Sequence, residues 1–176
     1  MKKLRLNAEK RDILYRALIA LAMLFGVALL QTSFLPWVGL FGAIPDLLMI
    51  FVVGVSFFNG ARVGIPFGIG AGLIGYFLGG GSRAEILLFY SLVGILFGMY
   101  FAGRKYLAWC VHMAAAVLAK AVWSFVICLL LSPVPRPFAA LWHGILPELL
   151  GTLLLSLALY APVRAAARLL KRKSEL

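Results

Sequence analysis

The chain has 176 residues, of which 64% are hydrophobic and 13% are charged, and its formal net charge is +11. Soluble domains are about 45–50% apolar and about 25% charged, so this composition excludes a water-soluble globular domain and indicates a membrane protein. A strongly basic chain can also be a nucleic-acid-binding protein. Basic residues gathered on one side of membrane spans explain the same charge, so we expect the lipid bilayer as a partner and no nucleic acid.

Long apolar runs bounded by charge, glycine or proline predict six membrane-spanning helices. Their ranges, in chain order, are 13–35, 45–58, 63–78, 84–102, 107–131 and 147–163. The glycines from Gly79 to Gly81 favour a turn before the fourth span, and Pro133, Pro135 and Pro137 end the fifth. We expect the first span to be an uncleaved helix, because it follows a basic segment and is long enough to cross.

The predicted spans form a single membrane domain over residues 1–176. A six-helix bundle at 13–163 lies between a basic tail at 1–12 and a second basic tail at 164–176. The two tails, Arg16 at the start of the first span, and the loops after the second and fourth spans together carry fourteen Lys and Arg residues, whereas the opposite loops carry only Arg83 and Arg136. Because cytoplasmic flanks are enriched in Lys and Arg, we expect both termini to be cytoplasmic. The predicted fold class is an all-α, multi-pass integral membrane protein.

Glycines recur at four-residue intervals along the third predicted span and again in the fourth. They are Gly60, Gly64, Gly68 and Gly72, followed by Gly94 and Gly98. Small residues at this spacing let helix backbones approach closely, which drives helix association in a membrane. We therefore expect the third span to be central and the fourth to face it. Such a stripe is typical of packing alone.

Three ionisable residues fall within or at the start of predicted spans: Asp46, Lys120 and Glu148. Charges inside a membrane are costly and are candidates for a functional role. The two acids share the pattern G-x-apolar-P-acid-L-L, which is typical of a helix start, where a carboxylate meets the positive end of the helix dipole. Lys120 lies near the middle of the fifth span, with both acids as candidate partners. Three roles for Lys120 are open: a structural ion pair or a snorkelling side chain, a contact with a partner or a pocket, and proton or ion coupling.

The remaining reactive residues form no recognisable catalytic or metal-binding pattern. His112 and His143 fall in different segments, without a second ligand at a suitable spacing. Cys110 and Cys128 would be about 27 Å apart on a straight helix, too far for a disulfide. We therefore expect neither an enzyme nor a cofactor.

The C-terminal tail carries Arg164, Arg168 and Arg172 at four-residue intervals. This spacing places the three side chains on neighbouring positions of a helix surface. We expect the last span to continue into the cytoplasmic interface as a basic amphipathic turn or two. One interpretation is a solvated face that touches lipid, and the other is a docking face for an acidic cytoplasmic partner.

Several local features occur together between Gln31 and Gly103. They are Gln31 with Pro36 beyond it, Pro45-Asp46-Leu47-Leu48, the Gly60 and Gly64 pair and Gly72-Leu73, with Leu159-Tyr160-Ala161-Pro162 as a weaker match near the end. In this combination the chain resembles the rod shape-determining protein MreD family. It departs from the family at Gly75-Tyr76, because many members carry an acidic residue after the Gly-Leu pair.

The resemblance implies a non-enzymatic scaffold subunit of the cell-wall elongation (rod) complex in the bacterial cytoplasmic membrane. Its helices would bind an MreC-like membrane partner, and through it connect indirectly to the MreB cytoskeleton and the wall synthases. The resemblance also implies a fold like that of the substrate-binding subunits of energy-coupling transporters. A vitamin-binding subunit of such a transporter is the alternative, and a small proton-coupled transporter that uses Lys120 is a third. An outward polar cavity would distinguish a transporter from a scaffold.

Overall fold

The computed structural model describes residues 2–38, 42–78, 84–100, 106–131 and 141–170, and the fold is all-helical. The helices are α1 (Lys2–Leu29), α2 (Leu35–Val38), α3 (Leu47–Asn59), α4 (Ala61–Leu78), α5 (Ala84–Tyr100), α6 (Tyr106–Leu131), α7 (Leu146–Ala158) and α8 (Tyr160–Leu169). Single π-helical turns at Leu30–Phe34 and Leu141–Ile145 lead into α2 and α7. The predicted glycine turn, the three prolines after the fifth span and Arg172 lie outside the described residues.

Within the described residues, three stretches are long and apolar enough to cross a membrane: Arg11–Trp37, Ala61–Leu78 and Ala108–Leu130. A fourth candidate span is the bent pair Trp142–Ala158 and Tyr160–Leu169. The apolar helices Leu47–Asn59 and Ala84–Met99 are shorter than a full crossing. The helices therefore indicate a multi-pass membrane protein with three or four candidate spans, which is a coarser statement than the six predicted from the sequence.

The helical ends differ from the sequence prediction at both termini. The first helix begins at Lys2, so the predicted N-terminal tail is an extension of α1. The sequence predicts the sixth span as one segment at 147–163, whereas the chain bends by 68° at Leu159, between α7 and α8. Pro162 lies in the first turn of α8, where a missing N–H group costs no intrahelical hydrogen bond.

The core of the bundle surrounds α3. Ten of its thirteen residues are buried, so neighbouring helices cover this short helix on nearly all sides. Trp109 of α6 and Val163 of α8 are fully buried against it. Gly54 permits this approach, because a Cβ atom at this position would overlap the Val163 side chain. The indole N–H of Trp109 also donates a hydrogen bond to the Ser156 carbonyl at 3.2 Å, which joins α6 to α7.

The glycines of α4 and α5 meet at a seam where the two backbones are in contact. A Cβ atom at Gly68 would lie 2.6 Å from the Tyr90 carbonyl oxygen and 2.9 Å from the Gly94 Cα. One turn further along, a Cβ at Gly72 would lie 2.8 Å from the Leu87 carbonyl oxygen. Atoms this close to backbone cannot be accommodated unless the helices separate. Glycine is therefore required for the observed spacing of α4 and α5.

The other glycines in the stripe extend these close contacts to the end of the bundle that is predicted to be cytoplasmic. A Cβ at Gly98 would lie 2.8 Å from the Ala61 Cα, and one at Gly64 would lie 2.5 Å from the Ser56 hydroxyl of α3. Gly60 links α3 to α4 with φ of +72°, a left-handed conformation that favours glycine. These glycines thus hold α3, α4 and α5 together as a compact unit.

Candidate functional site: a buried charged cluster

Lys120, near the middle of α6, lies between two carboxylates. Its ammonium group forms an ion pair with Asp46 and lies 2.5 Å from Glu148 Oε1. The side chain of Lys120 is 14% exposed, that of Asp46 is 1% exposed and that of Glu148 is 33% exposed. The three residues singled out in the sequence are therefore in direct contact, and Lys120 forms ion pairs inside the bundle in place of snorkelling to the surface.

Asp46 is the N-cap residue of α3, and both its side chain and its backbone are bonded. Its Oδ1 accepts a hydrogen bond from the Met49 N–H at 3.0 Å, and its own N–H donates to the Thr152 hydroxyl at 2.8 Å. The Leu48 N–H donates to Gln31 Oε1 at 2.9 Å. The first amides of a helix lack intrahelical partners. Here side chains satisfy three amides at the start of α3, so this end can be buried in the bundle without water.

Tyr90 of α5 adds a further donor to the Asp46 carboxylate. Its hydroxyl oxygen lies 2.8 Å from Oδ1 and 2.7 Å from Oδ2, and the Tyr90 residue is 6% exposed. The Asp46 carboxylate thus accepts from Met49, Tyr90 and Lys120. Hydrogen bonds to an ionised acceptor are stronger than those between neutral groups. We call Asp46, Tyr90, Lys120, Glu148 and Thr152 the charged cluster, which joins α3, α5, α6 and α7.

Glu148 has a different role from Asp46, although both belong to the same sequence pattern. It lies in the first turn of α7, next to Pro147, and its carboxylate turns to Lys120. Among the described residues, α7 has no side-chain hydrogen bond from its N-cap residue, Ile145. Thr152, one turn later, donates to the Glu148 carbonyl at 2.7 Å. Only the Asp46 copy of the pattern caps a helix through its side chain.

A cavity of about 190 Å³ adjoins the charged cluster and is lined in part by Gln31, Thr32, Gly75 and Tyr90. Pockets for small molecules usually measure about 300–1,000 Å³, so this cavity is below that range. Within the ranges that the structure describes, no group of three His, Cys, Asp or Glu side chains could hold a metal ion. The contacts that the cluster does show are ion pairs and hydrogen bonds between helices.

Tyr90 and Thr152 were not identified by the sequence analysis. Thr152 lies four residues after Glu148, and residues at this spacing share a helix face, so its position was a usable signal. Tyr90 lies in a continuous apolar run, where the sequence does not distinguish it from other tyrosines. Gln31 was recognised as a feature of the chain, but its bond to the distant backbone of Leu48 was not.

The predicted basic face is described for two of its three arginines. Arg168 is exposed and Arg164 is partly buried on α8.

Comparison with protein-family models, with curated proteins and with solved structures finds no match for this chain. The family resemblance of the region from Gln31 to Gly103 therefore stays a prediction.

Proposed function

We propose that this protein is a non-enzymatic scaffold subunit of the bacterial cell-wall elongation complex, of the MreD kind, in the cytoplasmic membrane. The observation that supports this proposal best is the internal pairing of the charged cluster. Asp46 accepts hydrogen bonds from Tyr90 and from Lys120 across three helices, and Lys120 also bonds to Glu148. Such groups fix the arrangement of the helices. A transporter would instead direct some of them toward a substrate in a larger cavity.

Six membrane crossings remain part of this proposal. Two of them would be α3 and α5, which measure about 20 and 26 Å at 1.5 Å per residue, against a hydrocarbon core about 30 Å thick. Neighbouring helices enclose α3, and its first amides bond to side chains. A helix shielded from lipid in this way need not match the bilayer thickness.

The scaffold surface would be on α1 and α6, where large apolar side chains face outward. Phe25 of α1 and both Leu118 and Val122 of α6 are exposed. Such faces can contact lipid or the transmembrane helix of an MreC-like partner. In this proposal the partner connects the protein to the MreB cytoskeleton and the wall synthases.

Reporter fusions test the proposed topology. A fluorescent protein that folds only in the cytoplasm should be bright on either terminus, because fourteen basic residues flank that side against two on the other. Alkaline phosphatase, which is active only outside the cytoplasm, should be active when inserted after Arg136. A phosphatase that is active at either terminus would contradict the predicted orientation.

Depletion in a rod-shaped bacterium that carries the gene tests the function. We expect cells to lose their rod shape and to regain it when the wild-type chain is expressed again. The solubilised protein should also retain an MreC-like partner after chemical crosslinking. Cells that stay rod-shaped but no longer take up a vitamin would refute the scaffold and support the transporter subunit.

A further inference from the structure

The C-terminal helix α8 is fixed across one end of the bundle. Its axis turns 68° from that of α7, so if α7 lies near the membrane normal, α8 lies close to the membrane plane. Val163 and Ala167 bury one face of α8 against α3. This is the end of α3 that the charge pattern assigns to the cytoplasm.

Two side chains from other helices bond to the last carbonyl groups at this end. The Asn59 amide donates to the Ala167 carbonyl at 2.9 Å, and the Arg16 guanidinium donates to the Leu170 carbonyl at 3.3 Å. The Ala167 carbonyl also accepts from the Leu170 N–H at 3.2 Å, and the two side-chain bonds tie the end of α8 to α3 and α1. The orientation of α8 is therefore set by α1 and α3, and its outward face is held in one direction.

The outward face of α8 has a basic edge beside an apolar edge. At 100° per residue, Arg164 and Arg168 occupy adjacent positions, followed around the helix by Ala165, Leu169 and Pro162. Leu169 is 62% exposed, and Ala165 and Pro162 are also exposed. A basic strip next to an exposed apolar strip is typical of a helix that lies in the membrane interface.

The same end of the bundle has an excess of positive charge. Arg11 and Arg62 are exposed there, while Asp12 forms a 3.0 Å ion pair with Arg16. Anionic lipids of the cytoplasmic leaflet attract such basic surfaces. A guanidinium group can also bind a phosphate through two parallel N–H groups.

We propose that α8 lies in the cytoplasmic membrane interface and binds the phosphates of anionic phospholipids through Arg164 and Arg168. Leu169 and Pro162 then enter the boundary between headgroups and acyl chains, which an acidic soluble protein would not offer them. The proposal depends on the membrane location and the orientation of α8. It does not depend on the scaffold function, so the shape experiment and the lipid experiment can fail independently.

Lipid binding to the full-length protein in detergent tests this proposal. Native mass spectrometry would measure the affinity for short-chain phosphatidylglycerol and for phosphatidylcholine of equal chain length. The wild type should prefer phosphatidylglycerol. Each basic residue near an anionic surface raises the affinity about fivefold. The Arg164→Gln and Arg168→Gln double variant should therefore bind phosphatidylglycerol about 30-fold more weakly than the wild type.

A matched control removes the same charge from the two loops that the charge pattern predicts on the opposite side. The Arg83→Gln and Arg136→Gln double variant should keep the wild-type affinity for phosphatidylglycerol. A melting temperature equal to that of the wild type would show that each variant is folded. Unchanged phosphatidylglycerol binding by the α8 variant would overturn the proposal, as would an equal loss in the control. Retained lipid binding with loss of an acidic cytoplasmic protein would favour a protein-docking face instead.

Discussion

Replacing Lys120 with methionine should destabilise the protein by about 3–5 kcal/mol, the usual cost of removing one partner from a buried ion pair. The substitution keeps an unbranched side chain, one atom shorter, but leaves Asp46, which is 1% exposed, without its ammonium partner. Asp46 and Glu148 would then face each other with like charges. Reversible unfolding in detergent micelles or bicelles, followed by circular dichroism, measures the loss of free energy of unfolding.

Two amide substitutions give this prediction its control. Glu148→Gln leaves Lys120 and Asp46 as a one-to-one pair, so we expect a loss below about 1 kcal/mol. Asp46→Asn weakens the acceptor that Met49, Tyr90 and Lys120 share, so its cost should be clearly larger than that of Glu148→Gln. Equal effects of the two substitutions, or a Lys120→Met variant as stable as the wild type, would contradict the proposed role of the charged cluster.

Replacing Gly68 with alanine should have the second largest effect. The added methyl group would lie 2.6 Å from the Tyr90 carbonyl oxygen and 2.9 Å from the Gly94 Cα. Both are backbone atoms and cannot rotate away, so α4 and α5 must separate. Overpacking usually costs about 1–3 kcal/mol. We expect a value near the top of this range, because moving the Tyr90 backbone also shifts its hydroxyl relative to Asp46.

Gly26 of α1 provides the matched substitution. A Cβ atom there meets no described atom within 4 Å, and alanine is favoured over glycine within a helix by up to about 1 kcal/mol. Gly26→Ala should therefore be neutral or slightly stabilising in the same unfolding measurement. If Gly68→Ala were as well tolerated as Gly26→Ala, the α4–α5 seam would not require glycine.

Local patterns predicted the helices better than the contacts between them. Apolar runs ending at charge, glycine or proline placed the third predicted span at 63–78, and α4 covers Ala61–Leu78. Four-residue glycine spacing indicated a packing face because that spacing keeps residues on one side of a helix. The cost of charge in lipid drew attention to Asp46, Lys120 and Glu148.

The features that the sequence did not predict depend on distant parts of the chain. Tyr90 belongs to the charged cluster only because the glycine seam brings α5 against α4, and no local pattern encodes that contact. The bend at Leu159 brings Val163 onto Gly54, more than 100 positions earlier in the chain. Pro162 was the available local signal for a new helix start.

The chain order of the charged cluster has a consequence for how the protein enters the membrane. Asp46 is synthesised 74 residues before Lys120, and Glu148 follows 28 residues after Lys120. During insertion, the short helix α3 therefore carries a carboxylate whose cationic partner has not yet left the ribosome. Its stable packing in the bundle must wait for α6, and α7 completes the arrangement. In chains truncated before residue 120, α3 should consequently pack less stably against the other helices than it does in the full-length protein.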